Sequence, residues 1–322
     1  MTGRAMGIFC GVLLLAGACD EAEERSGVGE GNGGLELRDL NMNTFNLNTF
    51  NLNTFNLNAF NLNTFNLNGD NGNTDSIRAT EFKYDASDVP DIWLVGSQIQ
   101  LETTGGVVLT GPQINKLKIK YDVLENGKLK KKVVKITNAT QLAPGSDIWV
   151  YDLDYKVEAG VWAPLCVDAN GNRTQAILLG DVWNAATGAR RVASDAGVTY
   201  ACRGAALAKC VEWGYKPWTT SADNVSLYDY HQACTRMVRA DYCGEGVAHT
   251  VTGTPIHVLD QHGVQKKDPN VNYVVEAEWG PNGATCLNSA NTRLPDQSLS
   301  CQLPACGASF SSGGLIQSGK VL

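Results

Sequence analysis

Charge is scarce in this sequence. Only 18% of its 322 residues are Asp, Glu, Lys or Arg, and the balance is acidic, −7 overall. A nucleic-acid partner is therefore not expected, because phosphate binding draws on a surplus of Lys and Arg. Long apolar runs are missing as well: Ile8 to Leu15 is too short for a bilayer, which takes about 20 apolar residues in a helix. No two cysteines stand three apart, so the C-x₂-C pair common in structural zinc sites is absent. Nor is there a G-x-S-x-G elbow, an H-E-x-x-H helix or a phosphate-binding P-loop. Histidine is down to four residues, all between His231 and His262. No metal and no cofactor is expected from this inventory.

What the N-terminus does contain is an export signal. Arg4 precedes the short apolar run, small residues follow at Ala16-Gly17-Ala18, and Cys19 completes a lipobox, Leu15-Ala16-Gly17-Ala18-Cys19. Cleavage before Cys19 would make that residue the lipidation site and tether the protein to a membrane. Ordinary cleavage after Ala18 is the alternative. The mature chain holds 25 basic and 33 acidic residues, −8. Residues 19–40 read as an acidic, Gly-rich tether. Residues 41–69 repeat with a strict period of five, from Asn41-Met42-Asn43-Thr44-Phe45 through Asn66-Leu67-Asn68. Five fits neither strand alternation nor a helix. Pentapeptide β-solenoids share the central Leu, but want a small residue where Phe45, Phe50, Phe55, Phe60 and Phe65 stand. An extended spacer is the expectation, with a solenoid stub or a self-associating Asn ladder as the other readings.

Ten cysteines less Cys10 in the signal and Cys19 leave eight: Cys166, Cys202, Cys210, Cys234, Cys243, Cys286, Cys301 and Cys306. An even number in an exported chain points to disulfides, although eight cysteines allow about 105 pairings and the connectivity stays open. A Cys210–Cys234 link between two helices is one guess.

After a linker at 70–79, residues 80–161 alternate short β-branched runs with turn signals: Ile92–Val95, Ile99–Leu101, Val107–Leu109, Leu117–Leu124, Leu129–Ile136 and Ile148–Leu153. Asn126-Gly127 marks a hairpin. Lys116, Lys118, Lys120, Lys128, Lys130, Lys131, Lys132 and Lys135 read either as a patch for phospholipid heads or acidic polysaccharide, or as a solvated face with protected edges. In 162–306, Asp168–Gly171 reads as a turn, and His249–Thr252, Pro255–Asp260 and Asn272–Trp279 as strands. Residues 307–322 look like a flexible tail.

Two helices are expected in this half. Ala205 to Trp213 is Ala-rich and stops at Gly214. The second begins behind Ser226 and places Leu227, His231, Cys234 and Val238 on one stripe beside Tyr230 and Met237, with Asp229 in a capping-box position and Gly244 as the stop. The fold class is α+β: mainly antiparallel β, about two short helices in a disulfide-rich C-terminal half, and a low-complexity repeat spacer ahead of it.

The stretch Arg239-Ala240-Asp241-Tyr242-Cys243-Gly244, with Lys209-Cys210-Val211-Glu212-Trp213-Gly214-Tyr215-Lys216-Pro217-Trp218 upstream, Arg236-Met237-Val238 leading in and His249-Thr250 after it, resembles the ADYC domain. That family comprises bacterial, largely myxobacterial, secreted proteins and lipoproteins, and the likeness runs from about Tyr151 to Cys306. It implies export and brings no catalytic residue with it. The remaining polar candidates are Asp241, Glu245, His249, His257, Asp260 and His262; Asp241 with His249 and His257 would make a general acid/base pair or a metal site. The plainer reading is that Arg236, Arg239 and Asp241 form ion pairs at a helix end. Trp213, Tyr215 and Trp218 offer an aromatic shelf for a sugar ring or peptide, or else pack over a disulfide. The functional expectation is a cell-envelope lipoprotein, periplasmic or cell-surface, acting as a binding or structural module for an envelope polysaccharide or protein. The alternatives are an envelope hydrolase using the His/Asp cluster, and self-assembly through the repeat.

Overall fold

The computed structural model describes residues 54–57, 64–66 and 78–322, apart from 126–127, 169, 184–186, 192–197, 251–253 and 295–297. The signal segment, Cys19 and most of the repeat lie outside the described residues. In chain order the strands are β1 (Thr54–Leu57), β2 (Thr64–Asn66), β3 (Arg78–Tyr84), β4 (Ser87–Asp88), β5 (Asp91–Val95), β6 (Gln98–Glu102), β7 (Val108–Thr110), β8 (Lys118–Glu125), β9 (Lys128–Gln141), β10 (Trp149–Glu158), β11 (Val161–Pro164), β12 (Ala176–Gly180), β13 (Val182–Trp183), β14 (Arg190–Arg191) and β15 (Val198–Cys202). Helices α1 (Ala206–Glu212) and α2 (Tyr228–Arg239) follow, then β16 (Thr254–Asp260), β17 (Tyr273–Gly280), β18 (Gly283–Leu287) and β19 (Ile316–Val321).

The strands build a large antiparallel sheet, β2-β15-β12-β10-β9-β8-β3-β4 with β11 alongside β10, a five-stranded sheet, β1-β16-β19-β17-β18, and the three-stranded sheet β5-β6-β7. Strand alternation divides the large sheet between two cores. Leu178, Tyr200, Tyr151 and Leu153 point to one side, where Ile99, Leu101, Ile114 and Leu117 of the small sheet and its adjoining turn cover them. Ile177, Leu179, Ala201 and Val150 point to the other side. There α1 and α2 fill the space up to Ile256, Val258, Ala277, Trp279 and Ile316 of the five-stranded sheet. Burying one such large apolar side chain contributes about 1.5–3 kcal/mol, so both cores matter to stability.

All six apolar runs expected between 92 and 153 are strands, and β8 and β9 pair down to Glu125 opposite Lys128 around the undescribed turn residues. Asp168 closes its turn by accepting the N–H groups of Asn170 and Asn172, each at 2.8 Å. The division at 161/162 is not a structural boundary, because β10 pairs with β12 across it, Val150 opposite Ile177. His249 and Thr250 are not in a strand, whereas β16 and β17 fall where expected. The largest correction is the tail. Instead of being mobile, its end supplies β19, the middle strand of the five-stranded sheet, held by β16 on one side and β17 on the other. Its polar and glycine content misled because Ser318 and Gly319 are buried by neighbours rather than exposed.

The cysteines pair as Cys166–Cys202, Cys210–Cys234, Cys243–Cys301 and Cys286–Cys306. The second bridge joins the two helices. Among the described residues no helix is long and apolar enough to cross a membrane.

Candidate functional site

Helix α2 runs out at Arg239, and its stop is Ala240, four residues earlier than the expected Gly244. The reason is local: Ala240 adopts the left-handed conformation (φ 52°, ψ 39°), its N–H donates to Met237 O at 3.0 Å, and the N–H of Asp241 donates to Arg236 O at 2.9 Å. This pair of bonds is the helix-ending turn that glycine usually makes. Ser226 is displaced from the cap position but its Oγ still accepts the N–H of Tyr228 at 3.3 Å.

Each residue after the helix is then committed to a partner. Asp241, 1% exposed, accepts from Arg236 Nη1 at 2.5 Å, from Gly246 N–H at 2.9 Å and from Glu245 N–H at 3.0 Å. Arg236 also donates to Thr187 O and Pro281 O. The Tyr242 ring stacks on Trp279, centroids 5.2 Å apart, and its hydroxyl donates to Glu276 Oε1 at 2.7 Å. Burial, with the Glu276 carboxylate beside it, pushes that hydroxyl's pKa well up. Glu276 in turn lies 3.0 Å from Arg293 Nε and accepts Ser318 Oγ–H at 2.6 Å, and Ser318 accepts from Trp279 Nε1 at 2.8 Å. Cys243 is bridged to Cys301. Gly244 comes so close to the β17–β18 turn that a Cβ there would sit 1.9 Å from Asn282 O. The tetrapeptide thus pins a helix end, a hairpin and a disulfide loop together.

The histidines do not converge on Asp241. His249 donates from Nδ1 to Ala240 O at 3.2 Å. His257, on β16, lies flat on Tyr273 with centroids 4.0 Å apart, and its Nε2 accepts the N–H of Asp268 at 3.0 Å. Burial holds its pKa below the usual histidine value. Tyr273 also covers Gly319, where a Cβ would meet the ring at 2.2 Å. His231 is fully buried; Nε2 donates to Leu207 O at 3.1 Å, and burial pushes its pKa down to about 3. The histidine that does meet a carboxylate is His262, Nδ1 at 2.6 Å from Asp223 Oδ2. Hydrogen bonds from Ser221 and then His262 hold the Asp223 carboxyl below its usual range. Sequence reading named His262 but not Asp223, which lies 39 positions away. Asp260 is spent on Tyr215 Oη–H at 2.9 Å and on the N–H groups of His262, Val264 and Gln265. Among the described residues no group of three or more His, Cys, Asp or Glu gathers as metal ligands would.

Of the aromatic trio, Tyr215 is fully buried and Trp213 is 9% exposed. Trp218 is half-buried; its Nε1 donates to Asp147 Oδ2 at 3.2 Å, its ring lies over Gly96, and Lys216 Nζ donates to both Asp147 oxygens at 2.8 Å. Trp218 therefore straps the small sheet to the cysteine half. The lysine face is laced with acids: Lys120 lies 2.6 Å from Glu81, Lys116 3.8 Å from Asp85 and Lys135 3.4 Å from Asp154, with Lys135 also over the Trp162 ring. Lys118 and Lys131 are exposed, while the side chains of Lys128 and Lys130 lie outside the described residues.

These features define a disulfide-bonded, mainly antiparallel domain whose signature segment is structural. The ADYC domain matches residues 94–293, nearly two thirds of the chain, and the chain belongs to that family. The match starts well upstream of Tyr151, inside the small sheet, so that sheet is part of the domain. No curated protein and no solved structure matches the chain.

Proposed function

We propose that the protein is an exported lipoprotein, fixed to the cell envelope through Cys19, whose ADYC domain serves as a binding or structural module for an envelope polysaccharide or protein, carried on the repeat. The observation that carries this reading is the commitment of Asp241: three donors take up its two oxygens, and His249 and His257 point to other partners. A carboxylate so occupied is poorly placed to move a proton. Four disulfides are compatible with an oxidising compartment. Mass spectrometry of the protein extracted from membranes tests it. Lipid mass on Cys19, no alkylation before reduction and eight alkylated cysteines after it are expected. An unprocessed Met1 or free thiols before reduction would overturn the reading.

A hydrolase remains the second reading for one reason. His262 pairs with Asp223 while its side chain stays 20% exposed, the arrangement a general base uses. If His262→Gln removed a turnover activity on envelope material while leaving thermal melting unchanged, this second reading would displace the first.

A further inference from the structure

The two repeat segments within the described residues do not pair with each other. β1 lies antiparallel to β16, with Thr54 opposite His257, Phe55 opposite Ile256 and Asn56 opposite Pro255. β2 lies antiparallel to β15, with Thr64 opposite Ala201, Phe65 opposite Tyr200 and Asn66 opposite Thr199. One triplet, Thr-Phe-Asn, thus covers the outer edge of two different sheets. The acceptors are firmly seated: Ile256, His257 and Val258 on β16, and Thr199, Tyr200 and Ala201 on β15, are all at most 1% exposed.

We propose that the five-residue repeat is a set of interchangeable edge strands, and that a unit unused in its own molecule adds to β15 or β16 of a second copy of this chain. Strand addition draws its affinity from main-chain hydrogen bonds, so any unit of the same sequence satisfies the same edge. Register is normally set by a strand's side-chain pattern. Here a slip of five residues presents the same Thr-Phe-Asn triplet again, except at the one unit that carries Ala59. The triplet occurs four times, at 44–46, 49–51, 54–56 and 64–66, against two edges, so donors outnumber acceptors within one molecule. The remaining unit, 59–61, carries Ala59 in place of Thr and lies between the two that dock.

A second copy is the partner because it brings the same edges and the same triplets. Exchange replaces one pairing by an equal one, so its equilibrium is governed by concentration: tethering favours the molecule's own units when dilute, and crowding at a membrane favours those of a neighbour. The proposal concerns the repeat and two edges only, and stands whether or not Cys19 is lipidated.

Photo-cross-linking in the full chain tests it. A benzoylphenylalanine at position 50, in a unit outside the described residues, is introduced into an equal mixture of isotopically heavy and light protein and irradiated over a range of concentrations. Heavy–light cross-links are expected at 199–201 or 254–257, rising with concentration. The same label at position 55 is expected to give mainly same-copy links to 254–257 when dilute. Cross-links from position 50 scattered over the surface, or confined to one copy at every concentration, would overturn the proposal. As a second measurement, Phe45→Pro with Phe50→Pro should reduce the sedimentation-detected association without changing the melting temperature. Unchanged association would count against the idea equally.

Discussion

Acid should weaken this domain through His231. Its ring is fully buried on α2, with Nε2 donating to Leu207 O and, among the described residues, no hydrogen-bond partner for Nδ1, and the Trp183 indole packs edge-on at 5.7 Å. Protonation would bury a charge and an N–H without an acceptor, and the Arg190 cation adds a smaller repulsion. Its folded pKa is therefore about 3, against about 6.5 in the unfolded chain. Above pH 6.5 both states are neutral and nothing is lost. Below it the unfolded chain takes up a proton that the folded one refuses, so stability falls with pH until the folded pKa is reached. From pH 7 to 5 the linkage amounts to about 2 kcal/mol. That corresponds to a fall in melting temperature of about 4–8 °C for a domain of this size. Carboxylates contribute little in that window, since their unfolded pKa values lie near 4. His257 adds in the same direction. The assay is urea denaturation at pH 7, 6 and 5 for the wild type and for His231→Gln, which keeps a donor for Leu207 O. The variant should be less pH-dependent by about 2 kcal/mol over that range. Parallel pH profiles for the two proteins would refute the reasoning, because His257 titrates in both.

Three further outcomes follow from the packing. Tyr242→Phe keeps the stack on Trp279 but removes the donor to Glu276. A loss of about 1.5–3 kcal/mol in chemical denaturation is expected, as for hydrogen bonds to charged groups. Gly244→Ala forces a methyl into Asn282 O and should abolish folded protein, whereas Gly180→Ala, with nothing within 4 Å among the described residues, should accumulate and melt like the wild type. Replacing both Cys210 and Cys234 by Ala opens a link spanning 24 positions and should cost about 3.5 kcal/mol from loop-closure entropy, read from the shift in denaturation midpoint.

The strands and both helices could be read from the chain because their signals are local. Alternation marks β8 and β9, and an apolar stripe with helical spacing marks α2. The inward-facing Cys210 and Cys234 followed from the same helical spacing. What the sequence hid depends on neighbours far along the chain. Arg293 and Glu276 become partners only once the loop after β18 folds back, and Asp223 meets His262 only because two loops come together over Tyr230. The end of α2 was misplaced because a glycine was assumed at the left-handed position, where Ala240 stands; Gly244 is there for close approach instead. Whether Trp213 and Tyr215 form a shelf or pack inward is not legible in the sequence, because aromatic residues near a proline carry no sign of which side they face; both are buried.

The position of β19 has a consequence for how the molecule comes into being. β19 follows both of its neighbours along the chain, so Ile256 and Val258 of β16 and Ala277 and Trp279 of β17 lack their shared partner until residues 316–321 have been made. Such late, long-range pairing makes assembly slow and leaves apolar strands unguarded in the meantime. Stopping the chain at Gly314 would leave β16 and β17 without the template between them and would also remove the Leu322 N–H that donates to Asn272 O.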